Sequence, residues 1–321
     1  MSLATFVPAL HLRVTDSREI ARDIHLFELR AADDADLPEF TPGSHLEVLT
    51  PTGLVRKYSL CNSAFERDRY WIAVKREADS RGGSASMAEA LKVGDTLPVG
   101  LPDNAFALSS KARQHLLIAG GIGITPVLAM ARWLKESGEG RFKLVYCTRD
   151  AEGTAFFDEL TSPEWRGLVT LHHDGGDPDQ ALDLWPLLEN PKGAHVYCCG
   201  PRGLMEAVRD MTGHWPGGSV HFESFGAENR DTRNNTPFTV RLERSGSTVT
   251  VPSDRTILEA VREHGVAVPS SCESGTCGSC RTRLLSGQAD HRDMVLLPEE
   301  QDDNIMVCVS RACSDELTLD L

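Results

Sequence analysis

From Cys272 to Cys280 the sequence reads CESGTCGSC, and a fourth cysteine, Cys308, follows after 27 intervening residues. This pattern, C-x4-C-x2-C-x27-C, constrains the fold more than any other stretch, because four thiols have to be brought around one centre. Five of the six residues between the first three, Ser274, Gly275, Thr276, Gly278 and Ser279, are small. Small side chains let backbone N–H groups approach sulfur, which stabilises negative charge on whatever the thiols hold. The intervals match the plant-type [2Fe–2S] signature with its distant fourth ligand. Structural zinc commonly uses two C-x2-C knuckles, and here only Cys277 and Cys280 form one. Nine cysteines, unevenly spread, make a poor disulfide framework. Cys61, Cys147, Cys198 and Cys313 lie off the pattern and read as buried apolar side chains.

A ferredoxin-like segment needs only the last quarter of the 321 residues, so the rest must supply or take electrons. The length suits two or three domains. No apolar run approaches the roughly 18 residues that span a bilayer. The start, MSLATFVPALHLRVTDS, lacks the basic and apolar regions of a secretory signal. A cytoplasmic location follows, where disulfides are rare. The net charge of −14 argues against nucleic acid or an anionic membrane as partner. It suits a partner with a basic patch, or solubility alone.

Three rhythms divide the chain. Residues 1–105 hold short, alternating, turn-bounded stretches (LHLRVTDSREI, DIHLFELRAA, SHLEVLTP, VRKYSLCN, RYWIAVKRE), the pattern of an antiparallel β-barrel or sandwich. One short helix and a return strand are expected in SMAEALKVGDTLPV. Residues 106–228 alternate apolar strands (HLLIAG, KLVYCTR, VTLHHD, HVYCCG, VHFESF) with helical stretches (TPVLAMARWLKESG, AFFDELTSP, LDLWPLLEN, GLMEAVRDMTGHW). That alternation predicts an α/β doubly wound parallel sheet. In the first helix Val127, Ala131 and Leu134 share a face, and Gly138 can end it. Residues 229–236 have linker composition. Residues 237–321 open with a hairpin, continue with the helix SDRTILEAVREHG, N-capped by Ser253 or Asp254, and close with the strands IMVCVSRA and ELTLDL around the cysteine loop.

Upstream, AGGIGITP (Ala119–Pro126) follows a strand and opens a helix. A glycine turn there suits a pyrophosphate, through close backbone approach and the helix dipole, although it is not G-x-G-x-x-G. A second glycine-bearing strand end, Cys199–Gly200–Pro201, lies at the carboxyl edge of the same predicted sheet, where open α/β sheets bind ligands. A shared cleft is one reading and two structural turns the other. In RKYSL, Arg56 and Ser59 can bind a phosphate and Tyr58 can stack on an aromatic system. Arg81 and the amides of Gly82, Gly83 and Ser84 offer a second such stretch. His172 and His173 fall on opposite faces of one strand, a poor metal pair, and read as structural.

The series RKYSLCN, IAVKR, RGGS, AGGIGITP, YCCGP, HFESFG and SSCESGTCGSC, together with TRDAEGTAFFDEL (Thr148–Leu160) and DHRDMVL (Asp290–Leu296), resembles the ferredoxin–NADP reductase superfamily. Within it, the order flavin, nucleotide, ferredoxin resembles reductases of aromatic-ring oxygenases. The resemblance implies a multidomain fold of flavin barrel, NAD-binding α/β domain and an α+β β-grasp [2Fe–2S] domain. It implies FMN, held by Arg56, Tyr58, Ser59, the strand Ala73, Val74 and Lys75, and Arg81, Gly82, Gly83 and Ser84. FAD is the alternative. NADH is implied at Gly121, Gly123, Thr125 and Pro126 and at Cys199, Gly200 and Pro201. Thr125 and Cys199 would lie near the nicotinamide and Phe225 against the flavin ring, as the catalytic group. Asp174 at a strand end would repel the 2′-phosphate of NADPH, and Arg149 would act the other way if it points to the same place. The metal ligands implied are Cys272, Cys277, Cys280 and Cys308. Electrons would pass from NADH through FMN to the cluster and on to a Rieske-type oxygenase component, the chain being a monomer. An aryl O-demethylase oxygenase is the alternative partner. A bare iron–sulfur carrier on inert scaffold is the rival from another class. An enzyme with its own hydroxylating metal is a further rival, but no 2-His-1-carboxylate set stands out.

Overall fold

In β2 (Ile24–Arg30) Phe27 and Leu29 face one core and Ile24 and Leu26 another, so the adjacent Leu26 and Phe27 are both buried, as in a strand covered on its two faces. The computed structural model describes residues 6–77, 82–225 and 235–321. By packing the chain forms two units, Ser2–His221 and Phe222–Leu321.

The first unit begins with six antiparallel strands: β1 (Leu10–Ala21), β2, β3 (His45–Leu49), β4 (Val55–Ser59), β5 (Tyr70–Lys75) and β6 (Thr96–Val99). Their order is β4-β3-β6-β1-β2-β5. The two edges meet where β4 runs out: Leu60 bridges to Ile72, and Cys61 N–H donates to Trp71 O at 2.9 Å. Closure removes the free edges that would otherwise template aggregation, so the barrel reading holds over the sandwich. Inside lie Val14, Phe27, Leu29, Leu46, Val48, Ile72 and Val99, each fully buried. Each such side chain contributes about 1.5–3 kcal/mol. The helix α1 (Gly83–Ala90) lies between β5 and β6 in sequence.

A five-stranded parallel sheet follows: β7 (Gln114–Gly120), β8 (Arg141–Thr148), β9 (Val169–His173), β10 (Ala194–Cys199) and β11 (Val220–Glu223), in the order β11-β10-β7-β8-β9. The chain winds outward from β7 to β9, then returns to β10 on the other side. The switch point is therefore between β7 and β10. Its helices are α2 (Ile124–Ser137), α3 (Phe157–Thr161), α4 (Trp185–Leu188) and α5 (Arg202–Met211). Gly138 ends α2 in the left-handed conformation (φ 70°), as its sequence suggests. Buried side chains from Ile124 to Ala131 pack on both sides of α2, together with Leu117, Leu144 and Tyr197 of the sheet and Ile24, Leu26, Cys61 and Ala73 of the barrel. That two-sided burial explains why the helix is apolar nearly all round.

Two predicted helices are much shorter than their sequence stretches. AFFDELTSP yields only Phe157–Thr161, because Phe156 takes a left-handed φ of 59° before it and Ser162 is extended after it. LDLWPLLEN yields only Trp185–Leu188, with Pro186 confined to its first turn.

The second unit contains β12 (Phe238–Leu242), β13 (Ser247–Val251), α6 (Ile257–Glu263), β14 (Arg281–Ser286), β15 (Ala289–Asp290), β16 (Asn304–Met306), β17 (Arg311–Ala312) and β18 (Glu316–Leu319). The main sheet is ordered β13-β12-β18-β14-β16, with β12 parallel to β18. One helix on a mixed sheet is the β-grasp arrangement. Its core joins Ile257, Leu258 and Val261 of α6 to Val240, Leu242, Val251, Leu317 and Leu319 of the sheet. Neither Ser253 nor Asp254 caps α6; Thr256 does, because only it stands three residues before Glu259 and can close a reciprocal capping box. The predicted strand IMVCVSRA is broken after Met306, where Val309 and Ser310 N–H both turn back to Met306 O, so Cys308 leaves the sheet. Cys313 is exposed, not buried, because it follows the two-stranded ribbon β15–β17 and only its backbone is engaged, with Gln288 O. The linker stretch 229–234 lies outside the described residues.

Candidate functional site

The cysteine loop has no regular structure. Glu273, Gly275 and Gly278 all take positive φ (53°, 77° and 81°), which turns successive backbone N–H groups toward one side. Gly275 is needed for space as well as conformation: a Cβ there would stand 2.7 Å from Val309 Cγ2 and 3.2 Å from Asp293 Cα. The four thiols come together in two pairs. Cys272 N–H donates to the Cys277 sulfur and Ser274 N–H to the Cys272 sulfur, both at 3.5 Å, and the Cys277 thiol meets the Ser279 hydroxyl at 3.2 Å. Cys280 and Cys308, both buried, form the second pair through their side chains. Within each pair one thiol is eased toward thiolate. Cys272 is drawn down by Cys277 and by the Ser274 and Thr276 hydroxyls while Cys277 is pushed up, and Cys280 is drawn down by Cys308 while Cys308 is pushed up. Two thiols to each of two irons is what a [2Fe–2S] cluster takes, so the donor set fits that group.

Sequence reasoning missed the floor of this nest. Asp293 is buried, and its Oδ2 accepts from Val295 N–H (2.9 Å) and Leu296 N–H (2.8 Å), while Met294 N–H donates to Gly275 O at 2.9 Å. The signal was present in the stretch DHRDMVL, but its contact with the loop is not local in sequence.

At the switch point of the parallel sheet the two glycine turns meet backbone to backbone. A Cβ on Gly123 would stand 2.2 Å from Cys199 O, and one on Gly200 would stand 2.8 Å from Gly120 N. The φ of Gly123 is an ordinary −61°, so this glycine answers to space alone. The crevice has the fit expected of a dinucleotide site: glycine backbone against glycine backbone at the carboxyl ends of β7 and β10, with the first turn of α2 free of acidic residues. Thr125 is buried and its hydroxyl donates to Ile122 O at 3.1 Å; Cys199 is fully buried. Pro126 is buried in the first turn of α2.

Asp174 follows β9 and accepts from Gly176 N–H at 2.7 Å. The Arg149 side chain reaches the same turn, 3.5 Å from where a Gly176 Cβ would be. The two opposing signals for ribose recognition therefore do share one place. His172 and His173 bind Gln180 O (2.7 Å) and the Thr154 hydroxyl (3.1 Å) separately, as structural histidines would.

In the barrel, Arg56, Tyr58 and Ser59 lie on β4, Ala73, Val74 and Lys75 on β5, and Gly82, Gly83 and Ser84 at the start of α1. A Cβ on Gly83 would meet Arg56 Nε at 3.2 Å, so the guanidinium lies against the opening turn of that helix. Gly82 at the N-cap has φ 88°, and no side chain caps the helix or places an acid in its first turn. An open helix N-terminus beside an arginine fits a phosphate. Tyr58 is pushed up to about 12 by burial, against the pull of Arg56, so its phenol stays neutral. Ser84 Oγ accepts from Glu77 N–H at 3.2 Å. Arg81 lies outside the described residues. Phe225 follows β11 and is exposed. No helix of the described residues is long and apolar enough to cross a membrane.

Barrel, doubly wound sheet and β-grasp unit in this order define an iron–sulfur flavoprotein reductase architecture. Residues 240–313 match the 2Fe-2S iron-sulfur cluster binding domain family. The chain is 58% identical over 313 residues to phthalate dioxygenase reductase from Burkholderia cepacia, covering 97% of each. It is 40% identical over 314 residues to vanillate O-demethylase oxidoreductase from Pseudomonas putida, covering 96% of this chain and 98% of that one. A solved phthalate dioxygenase reductase, described as a modular structure for electron transfer from pyridine nucleotides to [2Fe-2S], superposes with a TM-score of 0.74 at 58% identity, covering 97% of this chain and 98% of that one. The chain belongs to the phthalate dioxygenase reductase family.

Proposed function

We propose that this protein is the reductase component of an aromatic-ring dioxygenase system of the phthalate type, drawing electrons from NADH and delivering them singly to a Rieske-type oxygenase partner. The observation that carries the reading is the presence on one chain of the switch-point crevice and the four-thiol nest, an entrance and an exit for electrons. Bound FMN would supply the conversion of a two-electron hydride donor into single electrons, and a bound [2Fe–2S] cluster their exit. The greater identity to phthalate dioxygenase reductase than to the vanillate enzyme, 58% against 40%, favours the phthalate-type partner.

Each part of the chain then has a role. Residues 1–105 form the flavin domain, 106–228 the nucleotide domain and 237–321 the ferredoxin domain. Arg56 and the α1 start at Gly82, Gly83 and Ser84 hold the flavin phosphate, and Arg81 belongs to the same cofactor-binding set by its sequence. Tyr58, Ser59 and the Ala73–Lys75 strand border the ring, and Phe225 covers it. Gly121, Gly123 and Pro126 take the pyrophosphate; Thr125, Cys199, Gly200 and Pro201 line the nicotinamide end. Asp174 disfavours a 2′-phosphate by charge, against the opposite pull of Arg149 at the same turn. Cys272 and Cys277 would hold one iron, Cys280 and Cys308 the other. No side-chain base is required for the hydride transfer itself, and the proton the hydride carries leaves to water once its two electrons have passed to the acceptor. The protein acts in the cytoplasm as a monomer.

Cofactor extraction with a visible spectrum tests this. One FMN and two irons per chain are expected; zinc without flavin would overturn the reading.

A further inference from the structure

Arg132 is the one charged residue in the buried stretch of α2, and it is only 8% exposed. Its guanidinium donates to both oxygens of Glu159, at 3.0 and 2.5 Å, and also to the backbone oxygen of Cys61. It lies 5.3 Å from the ring centres of both Trp71 and Phe156. Neither ring is left to chance. Trp71 Nε1–H donates to Glu28 at 3.0 Å, and Phe156 is held at a φ of 59°, a conformation a bulky residue rarely accepts.

These contacts join the two halves of the proposed hydride path. Cys61 stands two residues beyond Ser59, at the end of the strand that carries Arg56 and Tyr58. Arg132 stands two turns along α2 from Thr125, about 10 Å of helix rise. Neighbouring contacts repeat the join: the Ser63 hydroxyl donates to Glu136 at 2.6 Å, and Phe65 stacks on Trp133. A buried cation is a poor device for mere adhesion, since apolar replacements of buried ion pairs often cost no stability. A planar guanidinium with fixed donors does impose one register.

We infer that Arg132 is a positioning residue, locking the end of the flavin-binding strand onto the nucleotide-binding helix so that donor and acceptor meet in one geometry. The inference rests on the function proposed above and adds the device that sets its geometry. The test uses the full-length, cofactor-loaded protein and its Arg132→Met and Glu159→Gln variants. Arg132→Met keeps its flavin and cluster. Its flavin bleaching under saturating NADH slows about 10- to 100-fold, as small misplacements do, while half-saturation by NADH moves by less than about 3-fold. With NADH deuterated at the transferred position its isotope effect changes, and the Cys61–Phe65 amides exchange hydrogen faster. Wild-type bleaching with unchanged exchange would overturn the inference. Should Arg132→Met fail to fold, Glu159→Gln decides. It keeps the bond to Cys61 and loosens the fork, so slower bleaching supports the lock and an unchanged rate refutes it. If the parent protein proves to hold no flavin, the proposed function fails, and the exchange of Cys61–Phe65 alone judges the lock: faster exchange in Arg132→Met upholds it, equal exchange refutes it.

Discussion

Gly275 shows how one residue type is dictated by a site. Its φ of 77° and the 2.7 Å approach of Val309 to its absent Cβ leave no room for a methyl group. Gly275→Ala should lower the iron content and visible cluster absorption of the purified protein. It should also destabilise the second unit by about 1–3 kcal/mol in denaturant melts. Full cluster occupancy in that variant would refute the role given to the loop. The need for small residues here was legible in CESGTCGSC, because spacing and composition are local. Asp293 and Val309, which bound the loop from outside, were not, since tertiary contact brings them there. Gly123 teaches the same point. Its ordinary φ gives no hint of why it is glycine, and only the oxygen of Cys199, from a strand end far along the chain, explains it.

Among the elements, α6 depends on its cap. Thr256 and Glu259 satisfy each other's backbone N–H at the start of the helix, Glu259 N–H donating to the Thr256 hydroxyl at 3.1 Å and Thr256 N–H to the Glu259 carboxylate at 2.8 Å. Thr256→Ala should cost about 1 kcal/mol, read as a lower denaturant midpoint for the second unit, with cluster spectrum retained. Sequence reading placed this cap two or three residues early because Ser253 and Asp254 are also good capping types; the reciprocal glutamate was the discriminating signal. At the amino ends of β7, β10 and β11, three histidines gather. His195 Nδ1 and His221 Nε2 are 3.0 Å apart, and His221 stacks on Tyr197 at 4.5 Å between ring centres. Burial, then the charges of His195 and His115, lower His221 to about 4 from an ordinary 6.5. A base whose folded value is depressed binds its proton more readily when unfolded. Its stabilising contribution is therefore intact above pH 6.5 and declines as pH falls toward 4. Melting temperature should drop over that window by a few degrees more in the parent than in His221→Phe; parallel curves would contradict the assignment. The helices α3 and α4 were overestimated because apolar periodicity continued past residues whose backbone could not remain helical.

For the whole molecule, charge and order matter most. The β-grasp segment, 237–321, carries 8 arginines, no lysine and 14 acidic residues. Docking on a basic oxygenase surface should therefore weaken as salt rises from 50 to 500 mM, with the electron-transfer rate falling about 10-fold or more. A rate indifferent to salt would remove electrostatics from the encounter. The order of barrel, nucleotide sheet and cysteine nest was legible because each has its own periodicity and motif. The meeting of two glycine turns at one switch point could be suspected from their strand-end positions, but the packing of α2 between sheet and barrel could not, since it depends on which faces meet. The most direct test of the relay compares the parent protein with Cys280→Ser under anaerobic NADH, following flavin and cluster absorption together with delivery to a one-electron acceptor. The parent should bleach both chromophores and reduce the acceptor. The variant should still bleach its flavin at the parent rate and deliver essentially no electrons. A variant that delivers electrons normally, or one that retains flavin yet cannot be reduced by NADH, would contradict an ordered path from nucleotide through flavin to the four cysteines.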